Sequence, residues 1–140
     1  MSETNTTLKP KTNIILSVVW GLAILAILYF SRPTPIIFFL LGGFLGGLGG
    51  IMQILSIKES RSAIISASSM LEVRRALAST RWGKRYIRFL WISNIGFIVL
   101  SLYFQGNFIF NVLAAYCSFC FIREIVTLKT IFELQRIANR

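Results

Sequence analysis

Two cysteines one helical turn apart are the residues of this chain whose spacing could most readily support chemistry. They form the C-x-x-C pattern Cys117–Cys120. A reactive pair needs a lowered thiol pKa at an accessible helix N-terminus, haem attachment needs a histidine where Phe121 stands, and structural zinc needs four ligands. The chain has no histidine and no other cysteine. We therefore expect buried, inert thiols, with soft-metal binding or acylation as the alternatives.

Side chains for acid–base catalysis are scarce. The five acidic residues are all glutamates, and the chain has neither aspartate nor histidine. General acid–base catalysis depends on such groups inside a site. Glu124 comes nearest to the middle of an apolar segment, and because Arg123 precedes it we expect an interfacial charge pair. The sequence therefore indicates no catalytic residue, no cofactor and no metal site.

Uncharged polar side chains interrupt the apolar segments or lie at their edges, namely Gln53, Ser93, Asn94, Asn107, Asn111 and Ser118. Polar groups inside a membrane are candidates for function, and amides also hold helices together, contributing about 0.6–2 kcal/mol each. Asn94 is the deepest amide by position, and Asn111 lies in the next apolar segment. We expect these amides to bond between helices, with a substrate or ion path as the alternative.

Glycines are concentrated in one apolar segment, at Gly42, Gly43, Gly46, Gly47, Gly49 and Gly50. They form two neighbouring rows at helical spacing. Such rows let a second backbone approach closely, which is how helices associate in lipid. The predicted partner is another helix of the same chain. A second copy or a partner subunit is the first alternative, and a pore-lining or hinge role is the second.

Basic residues follow in a polar stretch, at Arg74, Arg75, Arg81, Lys84, Arg85 and Arg88. Four of them, with spacings of 7, 4 and 3 residues from Arg74 to Arg88, share one stripe if the stretch is a single helix. Trp82 and Tyr86 are interleaved, and aromatic rings favour the membrane interface. Each cation near an anionic surface contributes about 1 kcal/mol. We predict contact with anionic lipid, with an acidic partner as the alternative and no nucleic acid.

Helices must position these residues. Hydrophobic residues make up 55% of the chain and charged residues only 14%, and the apolar residues come in blocks. Blocks of about 20 apolar residues cross the ~30 Å hydrocarbon core as helices, whereas a barrel would need strands of alternating polarity. The sequence predicts an all-α, polytopic membrane protein with four transmembrane helices in a bundle, as a single domain over 1–140. The predicted limits are about 13–30, 36–55, 87–104 and 108–128, with turns at Pro33–Pro35 and Gln105–Asn107.

Orientation follows from the distribution of lysine and arginine. With four spans, every lysine and arginine except Arg32 falls on one side. Because cytoplasmic segments carry the excess of positive charge, both termini and the basic stretch are predicted to be cytoplasmic. The expected location is the bacterial inner membrane.

The polar stretch 56–86 is predicted to be a cytoplasmic connection in which Met70–Tyr86 extends the third helix, and the tail 123–140 is predicted to extend the fourth helix through about Asn139. Ser69 and Glu72 have the spacing of a capping box, so a helix should start near Met70, after a turn at Ser60–Ser68, and bend at Gly83. Two extensions with apolar faces should pair antiparallel as a stalk, or else lie flat on the membrane. The predicted faces are Met70, Val73 and Leu77 against Ile125, Leu128 and Phe132, with Ile131, Leu134 and Ala138 as an adjacent row.

These features favour a non-enzymatic function. The first hypothesis is an accessory, assembly or regulatory subunit of a larger membrane complex, because the chain offers a glycine face and a basic cytoplasmic part. Its expected partners are membrane lipids together with another membrane subunit or a second copy. The alternative is a homo-oligomeric pore-forming or membrane-disrupting effector, holin-like or defence-related. A membrane enzyme is the least favoured function because catalytic residue types are scarce.

Overall fold

The computed structural model describes residues 10–31, 36–104 and 107–138. They form α1 (Pro10–Phe30), α2 (Ile36–Glu59), α3 (Arg61–Ser66), α4 (Met70–Ser79), α5 (Arg81–Tyr103) and α6 (Phe108–Ala138). Helices α2 and α5 and the Phe108–Leu134 part of α6 are long and apolar enough to cross a membrane, and Ile14–Phe30 of α1 is a shorter apolar helix. The described chain is all-α, and its three long apolar helices indicate a multi-pass membrane protein.

Several connections differ from the predicted ones. Helix α2 continues through Glu59 and has 24 residues, or about 36 Å, so it passes the predicted end near residue 55. The prediction of a plain turn at Ser60–Ser68 is wrong, because α3 forms there. The predictions for residues 1–9, 32–35, 105–106 and 139–140 lie outside the described residues.

The prediction of one continuous helix from Met70 into the third long helix is also wrong, since the chain breaks at Thr80 and not at Gly83. Thr80 has an extended backbone, with φ −75° and ψ 157°. Its N–H donates to the carbonyl oxygen of Leu77 at 3.3 Å, which ends α4. Its hydroxyl oxygen accepts from the N–H of Gly83 at 2.9 Å, which starts α5. One threonine therefore caps two helices, because its hydroxyl satisfies an end group that lacks a partner within the helix.

The start of α4 carries the predicted serine cap. The Oγ of Ser69 accepts from the N–H of Glu72 at 3.3 Å. The carboxylate of Glu72 in turn accepts from the backbone N–H of Ser68 at 2.8 Å. This hydrogen bond and a second one from the Ser68 hydroxyl hold the pKa of the Glu72 carboxyl below its usual value. The negative charge of this carboxylate is also stabilised by the positive end of the helix dipole, which lies at the start of α4.

Helix α6 is the centre of the bundle. Helix α2 has the most extensive contact with it, α1 packs on it, and α5 packs on both α2 and α6. The buried apolar residues at this junction are Ile27, Phe38, Phe97, Ala114, Ala115, Cys117, Phe119 and Cys120. Aromatic pairs join the neighbours edge to face, as rings prefer, with centroids 6.4 Å apart for Phe97 and Phe119 and 5.6 Å apart for Trp20 and Tyr116.

The basic end is our name for α3, α4, the last turn of α2, the first turns of α5 and the part of α6 after Arg123. The predicted pairing of two long antiparallel helices is wrong, because α4 packs chiefly on α3 and α5. Val73 and Leu77 of the predicted α4 face nevertheless lie in one cluster with Ile131 and Leu134 of α6. The buried cluster at this end consists of Ile57, Ile64, Ala67, Val73, Ile131 and Leu134. Ile125 and Phe132, which the prediction turned inward, are nearly half exposed. The side chains of Met70 and Ala138 lie outside the described part.

Candidate functional site

The glycines of α2 face α6 of the same chain, and we call this contact the glycine interface. Gly42, Gly46, Gly49 and Gly50 are buried, and Gly43 and Gly47 are half-buried. A methyl group added to Gly42 would overlap the backbone carbonyl of Ala115, and one added to Gly46 would overlap that of Phe119. The two helix backbones therefore touch, at a separation that leaves no room for a Cβ.

A hydrogen bond crosses the glycine interface. The Oγ of Ser118 on α6 donates to the carbonyl oxygen of Phe39 on α2 at 2.7 Å. Gly43, one turn further along α2, gives the serine its access, since a methyl group there would lie 3.2 Å from the same Oγ. Side-chain bonds of this kind stabilise membrane helix pairs by about 0.6–2 kcal/mol.

The two cysteines lie in the interior beside this interface. Cys117 and Cys120 are free thiols, 4% and 2% exposed, and belong to the apolar cluster around α6. Within the described ranges, no three His, Cys, Asp or Glu side chains are placed to hold a metal ion together. The geometry uses these thiols as small apolar side chains.

The two candidate amides lie on different helices. Asn94 is half-buried on α5, and Asn111 is 4% exposed near the start of α6. In the described part of the chain the Nδ2 of Asn111 has no hydrogen-bond partner, although it is buried.

A cluster of hydroxyl groups fixes three helix ends at the basic end. The Oγ of Ser56 on α2 donates to the carbonyl oxygen of Leu77 at 3.1 Å and lies 2.8 Å from Thr80 Oγ1. Thr80 Oγ1 donates to the same carbonyl at 2.8 Å. A methyl group on Gly83 would overlap this carbonyl oxygen and lie 2.7 Å from Thr80 Oγ1. The end of α2, the end of α4 and the start of α5 therefore meet at one point.

An ion pair on α6 contacts the first turns of α5. The Nη1 of Arg123 donates to the phenol oxygen of Tyr86 at 2.7 Å, and its Nη2 lies 3.1 Å from Glu124 Oε1. The predicted pairing of Arg123 with Glu124 is therefore present, and Tyr86 of α5 joins it. The two charged side chains are only 20% and 10% exposed, so removing one partner would leave a largely desolvated charge.

A cavity of about 290 Å³ opens between α2, α4 and α5, next to the hydroxyl cluster. Its lining residues are Gln53, Ser56, Arg74, Leu77, Ala78, Gly83, Tyr86 and Ile87. Four of them carry polar or charged side chains and four are apolar or glycine, but most of the exposed lining surface is apolar. Tyr86 forms part of the wall and contacts Arg123. The cavity therefore suits a ligand with one polar part and one apolar part.

The predicted basic residues are all exposed at the basic end, namely Arg74, Arg75, Arg81, Lys84, Arg85 and Arg88. A single stripe from Arg74 to Arg88 is wrong, because the break at Thr80 separates α4 from α5. Arg74 instead lines the cavity, and Arg81, Arg85 and Arg88 keep helical spacing on α5. The guanidinium of Arg85 lies 4.8 Å from the centre of the Trp82 ring, a cation–π contact.

Sequence reasoning missed the residues that build the basic end, above all Ser56 and Thr80. They are 24 positions apart, and no periodic pattern connects them. One local signal was available, because Thr80 precedes Gly83 by three residues, which is the spacing of a threonine N-cap. Recognising this cap would have placed the helix break correctly.

No protein-family model, curated protein or solved structure matches the chain. The described residues themselves must therefore indicate what the protein does. Among them, the glycine interface, the hydroxyl cluster and the cavity are the places where side chains or backbones of several helices meet.

Proposed function

We propose that this protein is a non-enzymatic accessory, assembly or regulatory subunit of a larger membrane complex. The supporting observation is that the centre of the bundle is filled by the packed apolar residues around α6. The predicted basic residues, in contrast, lie exposed at one end. A protein with this distribution acts through what its surface binds.

The second candidate is a homo-oligomeric pore. The glycines of α2 suggested this candidate, but their surface is already packed against α6 of the same chain. A pore would need another contact surface, and α5 offers open space at Gly96, where no atom lies within 4 Å of the position that a Cβ would take.

The proposed topology has four spans, with α1 as the first and with both termini and the basic end in the cytoplasm of a bacterial inner membrane. The Ile14–Phe30 part of α1 is a 17-residue apolar segment about 26 Å long, and it can cross the bilayer if the residues at its ends snorkel. The support is that only Arg32, among all lysines and arginines, falls on the other side.

Cysteine labelling of whole cells tests this topology. We expect an impermeant maleimide to label an Asn107→Cys variant in intact cells, and to label Ser62→Cys and Ser2→Cys variants only after lysis. Asn107, which follows α5, and Ser62, which lies on α3 at the basic end, are both exposed. The wild-type thiols are buried and serve as the baseline. Labelling of Ser62→Cys in intact cells would reverse the orientation, and labelling of Ser2→Cys there would show that α1 does not cross.

Native mass spectrometry tests the subunit proposal. We expect the tagged chain, extracted gently from its own membrane, to be detected in a complex with at least one foreign subunit at fixed stoichiometry. A particle that consists only of two or more copies of the tagged chain, each 15.8 kDa plus the tag, would instead support the homo-oligomeric pore.

The membrane potential of cells that overproduce the protein gives a second readout. An accessory subunit should leave the potential unchanged, and a pore should collapse it. A Gly46→Leu variant, in which α2 and α6 cannot pack closely, controls for the burden of overproduction.

A further inference from the structure

We infer that the cavity beside Tyr86 binds the phosphate headgroup of an anionic phospholipid, with Arg74 as the cationic contact. This inference depends on the membrane placement proposed above and not on the subunit role. The cavity lies where α2 leaves its apolar part at Gln53 and Ser56 and where the apolar part of α5 begins at Ile87. Trp82 and Tyr86 stand at the same level, as aromatic residues do at a membrane interface.

The polar part of the cavity, although the smaller part, suits a phosphate. Arg74 is exposed at its rim and Gln53 adds an amide, and none of the described residues that line the cavity is acidic. Tyr86 also lines the cavity, and its phenol oxygen accepts from Arg123 at 2.7 Å. Guanidinium groups and hydroxyls are the donors that phosphate oxygens favour.

The larger, apolar part of the cavity selects a lipid over a soluble phosphate. Leu77 and Ala78 on α4 and Ile87 on α5 supply an apolar wall. Ile87 is 40% exposed, so the wall continues onto the lipid-directed surface of α5. A free phosphate would leave this wall wet, whereas the first carbons of a phospholipid would cover it. At about 290 Å³ the cavity can hold a headgroup and the start of its chains, and the rest of the lipid stays in the bilayer.

The test compares two neighbouring arginines of α4. The full-length protein in detergent is titrated with phosphatidylglycerol, and retained lipid is counted by native mass spectrometry, with zwitterionic phosphatidylcholine as the control lipid. Arg74→Gln and Arg75→Gln remove the same charge from adjacent exposed positions, but only Arg74 lines the cavity. We expect one retained phosphatidylglycerol per chain and about fivefold weaker retention in Arg74→Gln, as the loss of a cation worth about 1 kcal/mol implies. Arg75→Gln should retain the lipid like the wild type.

A second variant tests the cavity without changing charge. Ala78→Phe should fill the space and abolish retention of the single lipid, with circular dichroism confirming that the helices remain. If that variant fails to fold, Gln53→Leu removes the amide at similar volume and should weaken retention. Equal losses in Arg74→Gln and Arg75→Gln would overturn the site in favour of diffuse surface charge. Equal retention of phosphatidylcholine would overturn the anionic preference, and displacement by inorganic phosphate at a comparable concentration would replace the lipid with a soluble ligand.

Discussion

Replacing Gly46 with alanine is expected to keep α2 and α6 from closing on each other, whereas the same replacement at Gly47 should leave the bundle intact. A methyl group at Gly46 would overlap the carbonyl oxygen of Phe119 and lie 2.8 Å from the Cα of Phe119. These are backbone atoms, so no side-chain rotation can relieve the overlap. At Gly47 the nearest atom is Ile122 Cγ2 at 3.8 Å, which is an ordinary van der Waals distance.

The two variants differ in packing alone, because they change adjacent residues of one helix in the same way. Overpacking a core costs about 1–3 kcal/mol, and we expect Gly46→Ala to reach the upper end of that range or exceed it. Separation of the helices would also break the Ser118–Phe39 hydrogen bond. Gly47→Ala should be neutral or slightly stabilising, because alanine favours a helix over glycine by about 1 kcal/mol.

Unfolding in mixed detergent micelles with increasing dodecyl sulfate, followed by circular dichroism, measures the free energy of unfolding of both variants. Gly46→Leu should not fold at all, and Leu45→Ala, which deletes side-chain atoms beside the interface, should be mild. If Gly46→Ala and Gly47→Ala have the same free energy of unfolding, the close approach of the two backbones does not exist.

The glycine interface shows what a sequence pattern can predict. Rows at four- and three-residue spacing define a helix surface without side chains, and such a surface has one physical use in lipid, which is close packing. The pattern therefore predicted the contact, with another helix of the same chain as the first partner, but it did not predict which helix, since Ala115 and Phe119 carry no matching signal. Only the three-dimensional arrangement identified α6 as that helix.

The basic end shows where sequence reasoning failed. The prediction treated Met70–Tyr86 as one helix because no proline interrupts it, and the antiparallel stalk and the arginine stripe both depended on that helix. A threonine is a weak helix breaker by propensity. Here Thr80 breaks the helix because the hydroxyl of Ser56, far away in sequence, stabilises the turn. Contacts of this kind depend on how helices meet, and local patterns do not record them.

Replacing Gly83 with alanine is expected to open the junction between α4 and α5. The added methyl group would overlap the carbonyl oxygen of Leu77 and lie 2.7 Å from both the Leu77 carbonyl carbon and Thr80 Oγ1. Relief requires α4 to move away, which would lengthen the bond between Ser56 and Leu77. If the cost is about 1–3 kcal/mol, backbone amides of α4 should exchange with deuterium roughly 5- to 150-fold faster.

The control for this experiment is Gly96→Ala, on the same helix, where a Cβ would have no neighbour within 4 Å. Hydrogen exchange should be unchanged in that variant, since α4 does not depend on Gly96. Exchange in the glycine interface should stay unchanged in both variants, because α2 and α6 are held by separate contacts. If all helices of the Gly83→Ala variant lose protection against hydrogen exchange, the basic end and the bundle unfold as one unit. Unchanged exchange in α4 would mean that Ser56 and Thr80 do not fix this junction.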